Sequence, residues 1–528
     1  SSREEIPFQI NSLIMKRLLT LMLFFGIICG QGYKSPPNIL FIMTDDHAVK
    51  AISAYDDNLI HTPNIDRIAK EGALFKQAFA TNAICAPSRA TILTSKFSHL
   101  NGQKDNHAIF DGNQQTFPKL LQNSGYQTAL IGKWHLKSEP TGFDYWSIFP
   151  GQGYYYNPDI NTMGNTSRME GYATDLVTDL AVQWLQKKWD VSKPFFMFYS
   201  HKAPHRNWMP ALRHLDKLQD RIFEDPPAFW DKYDTRLAAN SQLMHLKDHF
   251  FTAYDSKVTT IPLSKRDSAL WKLNYEDRLT SSEKEAWDSA YKDERLEYTQ
   301  GLKSGKTVQW LNYQRYIRDY LRCIMAVDEN IGEMLEYLDN NGLAENTVVV
   351  YLSDQGMFLG EHGWFDKRWM YEESIRIPLV IRYPNSINSG QVLNEMVMNI
   401  DFAPTLLDFA GVPTPEDMQG ESLKPLLVGE TGLDWREEIY YHYYEFPFMT
   451  HVNPHYGIRN SRYKLIRFYG EVEGWEFYDL HNDPTEQQNS YYRNEYRQEI
   501  SNMKERLKLL QNKYKDLKPE EPVLQDSF

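Results

Sequence analysis

With 528 residues and a hydrophobic content of 42%, the chain is long enough to bury a large core and has a globular composition. Its formal net charge of −13 argues against a nucleic-acid partner, because such partners normally require a basic patch. An anionic substrate would therefore have to be bound by a few locally placed cations.

Residues 1–32 are predicted to be an upstream segment followed by a signal peptide. Residues 15–17 give a charged start, and the apolar run 18–29 is too short for a comfortable transmembrane span. We expect export, to the periplasm, the outer membrane or the extracellular space. Cys29 is a candidate site for a lipid anchor, although the residues before it match a lipobox poorly. The chain has only three cysteines, so we expect no disulfide framework.

Four short apolar runs predict strands that are buried on both faces of a parallel sheet. Ligands of open α/β sheets bind at the carboxyl ends of the strands. Each run is followed directly by polar or ionisable side chains, which should therefore converge on one site. The runs and these side chains are 38–44 with Asp45 and Asp46, 128–132 with Lys133 and His135, 194–200 with His201 and His205, and 347–353 with Asp354 and Gln355.

Helical patterns separate the predicted strands, so the expected fold class is α/β with one large domain, residues 33–432. Within it, residues 206–312 are predicted to be a mostly helical insertion, either shaping a substrate cleft or forming a solvated structural insert. Alternating aromatic segments and a final charged helix predict a smaller C-terminal subdomain, residues 433–528, with an antiparallel sheet. The predicted helices are 64–72, 117–125, 174–188, 316–339 and about 492–517.

The segment 85–89, Cys-Ala-Pro-Ser-Arg, is the most informative part of the chain. Pro87 suits the first position of a helix, which places Cys85 at a helix N-terminus beside free backbone N–H groups. Arg89 adds a fixed cation one turn further on. The arrangement indicates an anion receptor with a modifiable side chain at its centre. A buried structural cysteine is the alternative interpretation.

This segment, continued as Ala-Thr-Ile-Leu-Thr-Ser-Lys over residues 90–96, resembles the signature of type I sulfatases. The Gly-Lys-Trp-His-Leu segment at 132–136 and two C-terminal segments, 459–464 and 478–486, resemble the same family, so the likeness runs from about residue 37 to about 490. The resemblance implies an alkaline-phosphatase-like fold, with a large, mixed, mostly parallel sheet flanked by helices. It also implies that a maturation enzyme oxidises Cys85 to Cα-formylglycine, whose hydrate is the nucleophile.

Asp45, Asp46, Asp354 and Gln355 offer hard oxygen ligands, which suit Ca²⁺ or Mg²⁺ rather than zinc. By resemblance these four residues form the calcium site of the family. Many members have Asn at the position of Gln355, so the amide oxygen here is moved outward by one methylene. For Asp45 and Asp46 alone, a turn or helix cap would explain the residues equally well.

The resemblance also implies roles for the remaining polar residues. Arg89, Lys133 and Lys367 would bind the sulfate oxygens or the aldehyde hydrate, and His135 would orient one hydroxyl of the hydrate. A histidine near Pro204 would protonate the leaving alcohol, and both His201 and His205 are candidates. Two further residues are candidates for contact with the sugar: His362 and Arg368.

These features predict a sulfuric ester hydrolase that acts on a sulfated carbohydrate. A phosphodiesterase or phosphonate monoester hydrolase with the same nucleophile, and a non-catalytic relative that binds sulfated glycans, are the alternatives. The stretch 38–102 looks most like bacterial sulfatases of the glucosamine-6-sulfate kind, and sulfatases of marine polysaccharides share its pattern. The sugar and the sulfate position stay open.

Overall fold

One large and one small β-sheet organise the protein. The structure is a computed structural model that describes residues 36–520, so the predicted leader and Cys29 lie outside the described residues. The large sheet has eleven strands in the order β11-β2-β10-β8-β1-β7-β3-β4-β5-β6, with β9 beside β2. Its strands are β1 (Asn38–Thr44), β2 (Ala73–Phe79), β3 (Gln127–Lys133), β4 (Tyr145–Phe149), β5 (Asp159–Thr162), β6 (Asn165–Arg168), β7 (Phe195–Ser200), β8 (Thr347–Ser353), β9 (Arg376–Ile377), β10 (Leu379–Arg382) and β11 (Gln391–Met398).

The four strands predicted from apolar runs are neighbours at the centre of this sheet. β8, β1, β7 and β3 lie side by side and pair in parallel, whereas β10 and β5 pair antiparallel with their neighbours. Side chains of β1 alternate between two cores, with Leu40 and Ile42 on one face and Phe41 on the other. Burial of both faces explains why these runs are continuously apolar.

Helices cover both faces of the large sheet, at positions close to those predicted. The ends differ by up to five residues, except that the helix predicted to start at residue 316 begins at Val308. The helices are α1 (Pro63–Lys70), α2 (Cys85–Thr94), α3 (Ser98–Asn101), α4 (Phe117–Asn123), α5 (Ala173–Lys187), α6 (Lys265–Trp271), α7 (Ser281–Lys303), α8 (Val308–Asn340), α9 (Glu372–Ile375), α10 (Phe402–Phe409), α11 (Lys424–Leu427) and α12 (Arg497–Lys513).

The predicted insertion, residues 206–312, is helical only in its second half. From 206 to 264, a stretch that the structure describes completely, regular helix is confined to the short 3-10 turn Leu212–His214. Buried aromatic side chains hold this irregular segment against α8, as where Trp208 packs on Tyr316 with 4.4 Å between ring centroids. Aromatic packing without helical periodicity is why the sequence pattern predicted more helix than is present.

The small sheet is antiparallel, as predicted, and it shares a core with the large domain. Its strands are β12 (Glu438–Tyr443), β13 (His455–Asn460), β14 (Tyr463–Phe468) and β15 (Gly474–Asp479), in that order. Ile458 and Leu465 of this sheet pack in one cluster with Phe79, Ile84 and Met396 of the preceding region. The small sheet therefore supports the segments that flank Cys85. Among residues 36–520, no helix has the length and apolarity needed to cross a membrane.

Candidate active site

Helix α2 presents Cys85 at its first position, as the sequence predicts. The preceding Ile84 is extended, with φ of −150° and ψ of 144°, and every residue of the helix is buried. Ser88 fixes the first turn, because its Oγ donates to the Asp354 carbonyl oxygen at 2.5 Å and accepts from Asn399 Nδ2 at 2.9 Å. The helix start is thereby held at the carboxyl end of β8.

The Cys85 thiol faces acidic side chains and is not activated as a thiolate. Its Sγ lies 3.4 Å from Asp45 Oδ1 and 3.7 Å from Gln355 Nε2. Burial raises the pKa of this thiol to about 12, and the nearby Asp354 and Asp46 reinforce the effect against Lys367 and Arg89. Cysteine nucleophiles need a lowered pKa. Unmodified thiolate chemistry is therefore a poor explanation of this position.

Three buried carboxylates and one amide meet beside Cys85. Oxygen atoms of Asp45, Asp46 and Asp354 all lie within 4.8 Å of one another. Burial raises the pKa of Asp46 to about 6, Asp354 and Asp366 add to the rise, and Lys367 opposes it. The Gln355 Oε1 atom is buried and has no hydrogen-bond partner among the described residues. A hard divalent cation fits the three carboxylates, since it would neutralise them. Gln355 turns its Nε2 toward Asp45 and Asp46 in this structure, so its orphaned Oε1 would bind the cation with the amide turned over.

Three buried cations surround the same carboxylates. Arg89 donates from Nε to Asp354 Oδ2 at 3.0 Å, and its Nη1 donates to Ser200 Oγ at 3.2 Å. Lys133 forms an ion pair with Asp45, and Lys367 Nζ lies 2.6 Å from Asp46 Oδ1. Asp46 holds the pKa of Lys367 above its ordinary value against the effect of burial, whereas burial and the nearby Lys202 lower the pKa of Lys133 well below its ordinary value. The predicted cations and acids thus form one charged cluster.

Lys133 and His135 reach this cluster because strands β3 and β7 approach closely at Gly132. Gly132 has a φ of +105°, and a Cβ atom there would lie 1.9 Å from the Ser200 carbonyl oxygen. Burial lowers the pKa of His135 well below its ordinary value, and Lys133 lowers it further. His135 is therefore a neutral ring that lines the cavity above Cys85.

Of the two competing histidines, the structure brings His205 to the site. His205 lines the cavity, its Nε2 lies 3.8 Å from Asp46 Oδ2, and its Nδ1 bonds the Arg206 carbonyl oxygen at 2.7 Å. His201 is fully buried, and its ring centroid lies 4.4 Å from that of Tyr199. Burial lowers the pKa of His201 to about 3, so it is a neutral core residue away from the cavity. The assignment of a general acid to His205 stays a prediction.

Of the two predicted sugar contacts, Arg368 and His362, only Arg368 lies at the cavity. Arg368 lines the cavity and donates to Asp366 Oδ1 at 2.5 Å. His362 is fully buried, and its Nδ1 lies 2.9 Å from Asp231 Oδ2. The φ of 57° at His362 turns its side chain into an aromatic cluster that includes Trp364. The structure therefore does not bring His362 to the cavity, because its contacts with Asp231 and the aromatic cluster hold it in the core.

The cavity above Cys85 has a volume of about 370 Å³. Six of the predicted site residues line it, namely Asp46, Cys85, His135, His205, Lys367 and Arg368. Sequence reasoning missed Gln152, Arg206 and Asp366, which also line it. Gln152 accepts from Lys133 Nζ at 2.5 Å, but it lies in a loop with no strand-end signal. Arg206 and Asp366 each adjoin a predicted residue, and that adjacency was the only available signal.

The fold and the site together define a hydrolase of anionic esters with an alkaline-phosphatase-like architecture. Residues 37–412 match the family model described as Sulfatase, and residues 360–513 match the one described as N-sulphoglucosamine sulphohydrolase, C-terminal. The chain belongs to the sulfatase family and is a sulfuric ester hydrolase.

Individual relatives agree with this assignment. An N-acetylglucosamine-6-O-sulfatase of Bacteroides thetaiotaomicron is 50% identical over 491 residues, covering 92% of this chain and 88% of the relative. A solved structure in complex with its substrate, D-glucosamine-2-N,6-O-disulfate, has a TM-score of 0.89 at 50% identity and covers 93% of this chain and 100% of that chain. The human N-acetylglucosamine-6-sulfatase is 26% identical and covers 79% of this chain and 69% of the relative.

These findings confirm the predicted family, fold class and activity on sulfate esters of carbohydrate. Phosphonate monoester hydrolase of Agrobacterium radiobacter shares the architecture, with a TM-score of 0.67 at 20% identity, covering 90% of this chain and 96% of that chain. That identity shows the fold alone. Hydrolysis of phosphonates or phosphodiesters therefore stays an alternative for direct assay.

Proposed function

We propose that this enzyme removes a 6-O-sulfate from glucosamine units that carry an N-substituent. The supporting observation is the 50% identity, over 92% of the chain, to an N-acetylglucosamine-6-O-sulfatase, together with the same identity to a protein solved with a 6-O-sulfated glucosamine. A cavity of about 370 Å³ is of the size that encloses a small ligand such as one sulfated sugar.

Within this proposal, Cys85 is converted to Cα-formylglycine by a maturation enzyme. The position supports a modified side chain, because it sits at a helix N-terminus and the raised pKa of the thiol argues against an unmodified thiolate as the nucleophile. Asp45, Asp46, Asp354 and Gln355 would hold Ca²⁺, with Mg²⁺ the less favoured ion. The bound ion would supply positive charge next to the sulfate oxygens.

The protein's own residues supply orientation, charge and a proton. Arg89 is held by the buried Asp354, and Lys133 by Asp45 and Gln152; together with Lys367 they would offer positive charge to the sulfuryl group. Such fixed cations stabilise charge that develops on sulfate oxygens, because they need no reorganisation during the reaction. His135 holds a hydroxyl of the hydrated side chain at position 85. Asp354 is the candidate base by the family resemblance, and its Oδ1 is held in place by the Asp46 N–H at 3.3 Å.

His205 completes the set as the group that protonates the departing sugar oxygen. The Nδ1 atom of His205 donates to the Arg206 carbonyl oxygen, so the proton for the departing oxygen must come from Nε2 of the doubly protonated ring. Burial and Lys133 lower the pKa of the free ring well below its ordinary value, so His205 would take up this second proton when the anionic substrate binds. Its ring lines the cavity and is 14% exposed, so a leaving group can reach it. The sugar itself would contact Arg368 and Asp366 at the cavity wall.

The predicted leader, residues 1–32, makes an exported enzyme part of this proposal. We place its site of action in the periplasm, at the outer membrane through Cys29, or outside the cell. Export would bring the enzyme to sulfated polysaccharide too large for uptake. Fractionation of the native host with an antibody against the protein tests this point.

The test of the proposed function is sulfate release from defined sugars by enzyme made with a formylglycine-generating enzyme. N-acetylglucosamine-6-sulfate and glucosamine-2-N,6-O-disulfate should lose the 6-O-sulfate. A galactose-6-sulfate control and a phosphate ester of N-acetylglucosamine should react far more slowly. Faster turnover of the phosphate ester, or no turnover of either glucosamine, would contradict the proposal.

A further inference from the structure

Two cations at the mouth of the cavity have no carboxylate partner. Lys137 and Arg266 both line the cavity and are exposed, and no carboxylate of residues 36–520 forms an ion pair with either. The chain as a whole carries a formal charge of −13. Other surface lysines, such as Lys76 and Lys247, also lack an ion pair within the described part of the chain, but Lys137 and Arg266 line the same cavity as Cys85, and this placement points to an anion from outside.

The other lining cations are already neutralised. Lys367 pairs with Asp46, Arg368 pairs with Asp366, and Arg206 binds Asp255 with two hydrogen bonds of 2.7 Å and 2.5 Å. These residues can serve the scissile sulfate and the sugar hydroxyls. Among the described residues of the lining, a second negative group would find free positive charge at Lys137 and Arg266.

Both unneutralised side chains are held in place by contacts that leave their charge available. The Arg266 guanidinium lies 5.5 Å from the Phe251 ring centroid, and its Nη2 lies 3.0 Å from Met449 Sδ. The Arg206 guanidinium packs against the same Phe251 ring, at 5.4 Å from its centroid. Lys137 Nζ donates to the His107 carbonyl oxygen at 2.7 Å, which uses one of its three protons.

We propose that Lys137 and Arg266 form a second anion subsite, which binds a negatively charged group of the substrate other than the sulfate being removed. This inference rests on the proposed function and adds to it a preference for multiply charged sugars. The chemistry fits a second sulfate on the same glucosamine or the carboxylate of a neighbouring hexuronic acid, since both accept charge-assisted hydrogen bonds from Lys and Arg.

The test compares kcat/KM for three sugars that share the 6-O-sulfate. N-acetylglucosamine-6-sulfate carries no second anion, glucosamine-2-N,6-O-disulfate carries a sulfate, and a disaccharide of glucosamine-6-sulfate with a hexuronic acid carries a carboxylate. Each variant is scored by the ratio of kcat/KM for a dianionic sugar to that for the monosulfate. We expect R266Q and K137Q each to lower one of these ratios about fivefold, mainly through KM, because the cations are solvent-exposed.

K265Q is the matched control. Lys265 is the exposed neighbour of Arg266 and does not line the cavity, so the same loss of charge there should leave both ratios at their wild-type values. The effect in R266Q should also shrink as salt is raised. A fall in the ratio for glucosamine-2-N,6-O-disulfate identifies the bound anion as sulfate. A fall in the ratio for the disaccharide identifies it as carboxylate.

Three outcomes would overturn the subsite. They are ratios in R266Q and K137Q equal to those of the wild type, an equal fall in K265Q, and a wild-type enzyme that handles all three sugars equally. These leave the proposed function intact, because the wild type still desulfates the sugars. A wild type that desulfates none of them overturns both the proposed function and the subsite.

Discussion

The Lys367 ammonium bridges the carboxylate of Asp46, with Nζ 2.6 Å from Oδ1 and 2.7 Å from Oδ2. Asp46, Cys85 and Asp366 hold the pKa of Lys367 above its ordinary value, although burial works against them. The lysine is therefore a permanent cation at the wall of the cavity, paired with one of the three acids of the candidate metal site.

We expect K367M to lower kcat/KM for a sulfate ester by roughly 100-fold, the usual cost of removing one group that stabilises transition-state charge. K367R should recover part of the loss, because it keeps the charge but changes the geometry of the donors. Steady-state kinetics on both variants check this. Activity of K367M within twofold of the wild type would remove the residue from the reaction.

Replacing Cys85 by Ala should abolish turnover, by roughly 1,000-fold or more, because the modified side chain is the expected nucleophile. C323A is the matched control, since Cys323 is also buried and unpaired but lies in helix α8. It should keep its kcat and lose about 1 kcal/mol of stability from the small cavity. Mass spectrometry of the active wild type should show formylglycine at position 85, and an intact thiol there would refute the mechanism.

The roles of His201 and His205 can be distinguished by how the loss of kcat in each variant depends on the leaving group. H205Q should lose roughly 100-fold or more in kcat on a sugar sulfate, the typical contribution of a general acid. On an aryl sulfate with an acidic phenol it should lose far less, because that leaving group needs no proton. H201F should change stability but not this dependence. If H201F shows the selective loss and H205Q does not, the assignment is reversed.

Removing the divalent ion should lower thermal stability as well as activity. Three carboxylates within 4.8 Å repel one another when no cation is bound. Saturating calcium at 100 times its dissociation constant would add about 2.7 kcal/mol of stability.

Differential scanning fluorimetry after chelation, followed by addition of Ca²⁺ or Mg²⁺, measures this effect of the ion. Q355L should weaken calcium binding roughly tenfold, and Q355N should weaken it less because it keeps an amide oxygen. Equal calcium affinity in Q355L and the wild type would exclude Gln355 as a ligand.

His455 should make the protein less stable in mild acid. Burial lowers its pKa to about 3, and its Nε2 accepts from the Met370 N–H at 3.0 Å. The folded state therefore binds fewer protons than the unfolded state below pH 6.5, and stability falls as the pH falls. The loss between pH 7.5 and pH 5 is about 2 kcal/mol for a fully buried group.

H455Q keeps a hydrogen-bond acceptor without a titration, so it should show a weaker fall in stability over that range. Urea unfolding at several pH values measures the difference between the two proteins. Parallel stability curves for H455Q and the wild type would assign the acid sensitivity to other buried histidines.

By itself, the sequence determined the central strands, the site at their carboxyl ends and the family. Continuous apolar runs specify strands buried on both faces, and β8, β1, β7 and β3 proved to be neighbours. The motif at 85–89 fixed the start of helix α2, because proline and the residues around it restrict the backbone locally. Periodicity and local backbone preference are properties of short segments, which is why they can be read from the chain.

Only the tertiary structure decided which polar side chains face the cavity. His201 and His205 lie four residues apart, yet one packs on Tyr199 and the other lines the cavity. His362 looked like a sugar contact but lies in the core, where its Nδ1 is 2.9 Å from Asp231 Oδ2, a residue 131 positions earlier in the chain. Arg266 and Phe448 come from distant parts of the chain to the same wall. Side-chain direction and long-range contact depend on packing between segments far apart in sequence, and no local pattern encodes them.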